Sequence, residues 1–131
     1  MITAVDTNVL LDIFGADQAF GRASQSALRA CLREGQVIAC EIVWAETASF
    51  FPDQAAAASA FRTIQVEFSP CDEETALAAA SAWAAYRARG GKRERVVADF
   101  LVGAHAVTRA ERLLTRDRGF YPLVLIRAGH R

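Results

Sequence analysis

Four acidic residues carry the chemistry that this sequence offers: Asp6, Glu46, Asp99 and Asp117. Asp6 ends the apolar run Ile2–Val5 and precedes Thr7, Asn8 and a second apolar run, Val9-Leu10-Leu11. Asp117 follows Leu113-Leu114 and Thr115-Arg116 in a similar pattern. An acid at the carboxyl end of a buried strand stands where open α/β sheets bind ligands. Glu46 lies among Ile42, Val43, Trp44, Ala45 and Ala48, and Asp99 lies one turn before Gly103 beside the stripe Val97, Leu101, Ala104 and Val107. No cysteine or histidine accompanies the four, so the donors are hard oxygens. These suit magnesium or manganese, which keep several waters and bridge to phosphate oxygens. Such an ion orients a water, lowers its pKa and stabilises charge developing at phosphorus, whereas several carboxylates gathered without a cation repel one another. Plainer readings stay open: Asp6 as a helix cap, Glu46 on a wet stripe and Asp99 as a solvent-facing group on an amphipathic helix.

The elements that must position these acids follow from periodicity. Ile2–Val5 is β-branched and too short for a helix, so it reads as a strand, with Asn8 as a suitable N-cap for the helix after it. Residues 17–34 place Phe20, Ala23, Ala27, Leu28, Ala30, Cys31 and Leu32 at largely helical spacing and stop at Gly35. A strand over 36–40, a helix over 41–51 closed by Pro52, an alanine-rich helix over 53–65 and a short strand Val66–Phe68 come next. Asp72, Glu73 and Glu74 put negative charge where a helix dipole favours it, and that helix runs through Leu77, Ala80, Trp83, Ala84 and Arg87 to Gly90-Gly91. A helix over 96–108, a strand Arg112–Thr115 and a last strand over 123–126 complete the order. Strands alternating with helices predict an α/β fold with right-handed crossovers and a mainly parallel sheet covered on both faces. If the first and fourth strands are neighbours, Asp6 and Asp117 meet at the switch point.

At 131 residues, 53% hydrophobic and 23% charged, the chain fits a single globular domain over 1–131. It has no apolar run long enough for a bilayer and no basic, cleavable leader, so a cytoplasmic protein without a membrane partner is expected. Cys31, Cys40 and Cys71 show neither disulfide-framework nor zinc-ligand spacing and read as small core residues. The zero net charge hides an asymmetry: residues 1–85 hold 4 basic and 11 acidic side chains, and 86–131 hold 11 and 4. Arginine forks match phosphate geometry, so the basic half suits a polyanion. Arg95 lies four residues before Asp99, and Arg116 and Arg118 straddle Asp117, which makes these three the candidates for contacting the phosphates of such a partner. Neither histidine fits a general base at this centre: His105 falls about 240° round the helix from Asp99, and His130 is in the tail.

Four stretches in order give a more specific reading. They are Asp6-Thr7-Asn8-Val9-Leu10-Leu11-Asp12; Val43-Trp44-Ala45-Glu46; Ala98-Asp99-Phe100-Leu101-Val102-Gly103-Ala104-His105-Ala106; and Leu114-Thr115-Arg116-Asp117-Arg118-Gly119-Phe120-Tyr121. Together, and over the whole chain, they resemble PIN-domain ribonucleases, in particular VapC-like toxins of bacterial toxin-antitoxin systems. The resemblance implies a three-layer α/β/α fold and metal-dependent hydrolysis of RNA. It also implies a magnesium or manganese site formed by Asp6, Glu46, Asp99 and Asp117. By the same analogy the Thr115 hydroxyl holds a ligand carboxylate or the attacking water, and Asn8 hydrogen-bonds within the acidic cluster. Gly119 stands where some members place another Asp or Asn, so one metal ion is expected and a second is left open. Asp12 matches the family stretch, but a helix-end or loop role explains it equally well, and it is left out of the site.

The family also implies a cognate antitoxin and a homodimer, with Leu11, Phe14, Trp44, Phe50 and Phe51 as candidates for contact or for core. Two rivals come from other classes. A haloacid-dehalogenase-type phosphatase also begins with a strand and an Asp, but it needs a second Asp two residues on, where this chain has Asn8. A catalytically silent binding domain has no need of the full set of acids.

Overall fold

A computed structural model of the chain describes residues 1–92, 96–117 and 125–127, the last as backbone. Eleven elements are described, five strands and six helices. They run β1 (Ile2–Val5), α1 (Thr7–Phe14), α2 (Gly21–Glu34), β2 (Gln36–Ala39), α3 (Glu41–Ala48) and α4 (Gln54–Thr63). Then come β3 (Val66–Phe68), α5 (Glu73–Ala88), α6 (Val97–Arg109), β4 (Arg112–Thr115) and β5 (Leu125–Arg127). The sheet order is β3-β2-β1-β4-β5 and every pairing is parallel. The fold is the expected three-layer α/β/α arrangement. β1 and β4 are neighbours, with Val5 opposite Leu114, so the chain reverses its order across the sheet between them.

β1 is the middle strand, and its burial explains the unbroken apolar run that encodes it. Ala4, Val5, Val37, Ile38, Leu113 and Leu114 fill the sheet side of the core, and Val9, Leu10, Leu28, Cys31, Val43 and Phe61 pack on it from the helices. Trp44 stacks on Phe61 with ring centroids 3.8 Å apart, and Phe14 meets Phe61 and Phe51 edge-on, so these candidates for partner contact are tied to the core. Phe50 is the exposed one, at 56%. A smaller cluster of Ala79, Phe100 and Ala104 joins α5 to α6.

Several element ends differ from the sequence expectation, three of them for a clear local reason. The N-cap of α1 is Asp6 rather than Asn8, because the Asp6 carboxylate accepts the Thr7 amide at 2.8 Å and Asn8 already lies in the first turn. α2 begins at Gly21 instead of residue 17, since the Asp17 carboxylate takes the amides of Ala19 and Phe20 and holds them in a turn. α3 ends at Ala48, where the Ser49 hydroxyl donates to the Glu46 carbonyl at 2.7 Å. At Gly35 a Cβ would come within 1.9 Å of the Met1 carbonyl oxygen, so only glycine lets the chain pass from α2 into β2 beside β1. Arg95, Arg118, Gly119, His130 and the first half of the expected last strand lie outside the described residues. No described helix is long and apolar enough to cross a membrane.

Candidate active site at the switch point

Asp6 is one residue beyond β1 and only 8% exposed. Its two oxygens have different partners: Oδ1 accepts the Thr7 amide, and Oδ2 accepts the Thr115 hydroxyl at 2.7 Å. The Asp6 amide itself donates to the Leu114 carbonyl at 2.9 Å, continuing the β1–β4 ladder to the edge. The Asp6 carboxylate therefore caps α1 with one oxygen and is tied to the end of β4 by the other. Thr115 ends β4, is fully buried, and also accepts the Asp117 amide at 2.9 Å. A single hydroxyl thus fixes the Asp6 carboxylate and the backbone that carries Asp117.

Asn8 reaches the same group from α1. Its side-chain nitrogen lies 3.5 Å from Asp6 Oδ2 and from Thr115 Oγ1, and its oxygen accepts the Arg116 amide at 3.2 Å. Glu46 comes in from α3: the Thr7 hydroxyl donates to its Oε1 at 2.6 Å. Thr7 thus ties Glu46 to the start of α1, a role that the sequence reading did not give it. Burial pushes the Asp6 carboxyl above its ordinary value, against the hydrogen bonds from Thr115 and Thr7, and the nearby charges of Asp117 and Glu46 push the same way. Asp6, Glu46 and Asp117 therefore share one electrostatic neighbourhood.

Asp99 sits in the first turn of α6, and its Oδ2 accepts the Val96 amide at 2.9 Å. Its carboxylate closes its own helix in this state. α6 leads into β4, so its N-terminus starts from the carboxyl edge of the sheet, the edge that also carries Asp6 and Asp117. Among the described residues, these four carboxylates include no set of three with oxygens all within 4.8 Å of one another. The four offer hard carboxylate oxygens with no sulfur or nitrogen among them, the donor chemistry that suits magnesium or manganese.

Arg116 is engaged in an unexpected way. Its Nε and Nη2 donate to the two Asp12 oxygens at 2.6 and 3.0 Å, its guanidinium lies 4.1 Å above the Phe20 ring, and Asp12 also accepts the Ser24 hydroxyl at 2.7 Å. Asp12, left aside on sequence grounds, is 4% exposed and links α1, α2 and the segment between Thr115 and Asp117. The signal in the sequence was a charge set among Val9, Leu10 and Ile13. His105 is buried, with Nε2 3.1 Å from the Ser69 hydroxyl, in keeping with its exclusion from the acid centre.

The chain matches known proteins at the level of family and fold. Residues 3–123 match the family model for the PIN domain. No curated protein matches at a significant level. Among solved structures, a chain of VapBC2 from Rickettsia felis, bound to a DNA fragment from its promoter, superposes with a TM-score of 0.76 at 18% identity, covering 97% of this chain and 98% of that one. VapBC-1 from nontypeable Haemophilus influenzae gives 0.73 at 18%, with the same coverage. A toxin-antitoxin complex from Klebsiella pneumoniae gives 0.69 at 20%, covering 95% of each chain. At these identities the likeness is one of fold.

Proposed function

Because the chain belongs to the PIN-domain family, we propose that it is a metal-dependent endoribonuclease acting in the cytoplasm as the toxin of a toxin-antitoxin pair. The observation that carries the reading is the buried Asp6, whose pKa is raised beside Glu46 and Asp117 at the switch point. Such a carboxylate is unfavourable alone and favourable beside a cation. Asp6, Asp99 and Asp117 would hold a magnesium or manganese ion, and Glu46 completes the catalytic set. When bound, the ion supplies a nucleophile at neutral pH and neutralises charge developing at phosphorus.

The residues of this chain supply the rest. Thr115 and Asn8 keep Asp6 Oδ2 in one orientation, and the Thr115 hydroxyl fixes the backbone of Asp117. Glu46, whose carboxylate accepts the Thr7 hydroxyl, would accept a proton from the attacking water. Asp99, whose carboxylate caps α6 in the metal-free chain, would be a further oxygen donor to that ion. Arg95, Arg116 and Arg118 meet the phosphates of the RNA. Arg116 has two N–H groups committed to Asp12, which leaves three of its five for this task. Replacing any one phosphate-contacting arginine with alanine makes the log affinity against log salt shallower by about 0.7 for a single strand, with the cleavage position unchanged.

The toxin reading draws on the solved relatives, which come from toxin-antitoxin complexes. It implies a homodimer held by a cognate antitoxin that covers the acidic edge. The test is to sequence RNA ends after induced expression. Discrete new ends that vanish in Asp6→Asn, and on co-expression of the neighbouring antitoxin gene, are the expected result. Growth arrest that persists unchanged in Asp6→Asn would overturn it.

A further inference from the structure

On the other side of β1 from the Asp117 segment, the carboxyl end of β2 carries donors of another kind. The sulfurs of Cys40 and Cys71 and a carboxylate oxygen of Glu41 lie within 4.8 Å of one another. The backbone brings them together. Cys40 occupies the N-cap position of α3 and Glu41 is the first residue of that helix. β3 pairs with β2 so that Ala39 faces Phe68, and the Ser69 amide continues the ladder to the Ala39 carbonyl at 2.9 Å. That register delivers Cys71, whose amide donates to Glu41 Oε1 at 2.9 Å. Cys40 is 1% exposed, while Cys71 and Glu41 are half-buried and open a path from solvent. The proposed nuclease chemistry uses none of the three.

We propose that Cys40, Cys71 and Glu41 form a second cation site, selective for a soft divalent metal of the zinc class, with water in the fourth position. Two thiolates and one carboxylate are zinc donors, and the sulfurs disfavour magnesium. Binding releases the two thiol protons to solvent as two metal–sulfur bonds form, so a doubly charged ion meets three anionic donors. The site would clasp the start of α3 to the connection between β3 and α5. In the metal-free protein burial raises both thiols, Cys71 to about 12, with Cys40 and Glu41 adding to the effect. Thiols held in that form react slowly with oxidants, which sets this pair apart from a redox disulfide. Sequence pattern alone does not reveal this cluster, because Cys40 and Cys71 are thirty-one residues apart and meet through the β2–β3 register.

The test is a cobalt(II) titration of the reduced full chain in the absence of oxygen, read by thiolate-to-metal charge-transfer absorption. One ion per chain is expected, displaced by zinc and not by magnesium. Cys71→Ser should weaken binding by about a hundredfold or more, because losing even an outer-shell partner costs up to that much. Cys31→Ser, in α2, should leave binding unchanged. Glu41→Gln keeps both sulfurs and should weaken binding about tenfold or more while the charge-transfer band survives. The proposal is overturned if the wild-type chain gives no such band, if the band is undiminished in a folded Cys71→Ser protein, or if Glu41→Gln binds as wild type does.

Discussion

Asp6 and Cys40 occupy equivalent places in adjacent strands and present opposite chemistry. Each lies one residue beyond its strand, two residues on from the facing pair Ala4 and Ile38. Each takes the extended cap conformation, φ −87° and ψ 156° at Asp6 against φ −77° and ψ 171° at Cys40, and each opens a helix. The backbone makes the same corner twice. What differs is what the neighbouring segment brings: Thr115 and Asp117 after β4 surround Asp6 with oxygen, whereas Cys71 after β3 meets Cys40 with sulfur. The carboxyl edge of a parallel sheet is thus a generic ligand position, and its metal preference is set by side chains arriving from adjacent strands.

The largest effect that separates the two corners is on catalysis. Asp6→Asn and Asp117→Asn should each lower RNA cleavage by at least about a hundredfold, the scale of losing metal-assisted charge stabilisation of several kcal/mol. Cys71→Ser should leave the cleavage rate within about twofold of wild type under magnesium, because two-fold is well under 1 kcal/mol of barrier. Cleavage assays on one RNA under one metal buffer make the comparison.

Next in size is the ion pair beneath the acid corner. Arg116→Met would leave the Asp12 carboxylate, 5% exposed, with Ser24 as its remaining side-chain partner among the described residues. Removing one partner of a buried pair costs about 3–5 kcal/mol, and the 29% exposure of the Arg116 side chain lowers the expectation to about 2–4 kcal/mol. Urea unfolding of the two proteins measures it. A loss below about 0.5 kcal/mol would make the pair ordinary surface and remove Asp12 from the account of how Asp117 is positioned.

The smallest effect has the opposite sign. The Asp6 carboxyl is raised above its unfolded value of 3.8 in the metal-free fold, first by burial and then by Asp117 and Glu46. Folding therefore favours the protonated form. That contribution is fully present below the unfolded value and is lost as pH rises through the folded one. Asp6→Asn should accordingly melt higher than wild type at neutral pH in chelator, with the gain shrinking as pH falls toward the unfolded value. Thermal melts across that range check the sign.

How far the sequence spoke follows from which forces set each feature. Val66–Phe68 and Arg112–Thr115 were legible to the residue because apolar runs and breakers specify short buried strands. The start of α2 was not, because a side-chain-capped turn at Asp17 overrides helical spacing over four residues. Asp6, Glu46 and Asp117 could be nominated from their places in the pattern and Thr115 from the resemblance, yet the tie from Thr7 to Glu46 could not, because the Thr7 hydroxyl has no distinctive spacing. The Asp12–Arg116 pair spans 104 positions and the Cys40–Cys71 approach depends on register, so both needed the fold.

The proposal that Asp6 and Asp99 would hold the same hard cation is tested most directly by manganese binding to chelator-stripped protein, measured by calorimetry. The account predicts that Asp6→Asn and Asp99→Asn each weaken manganese binding by about tenfold or more, at 1.4 kcal/mol per decade, and that Cys71→Ser binds as wild type does. Equal manganese affinity in wild type, Asp6→Asn and Asp99→Asn would contradict it.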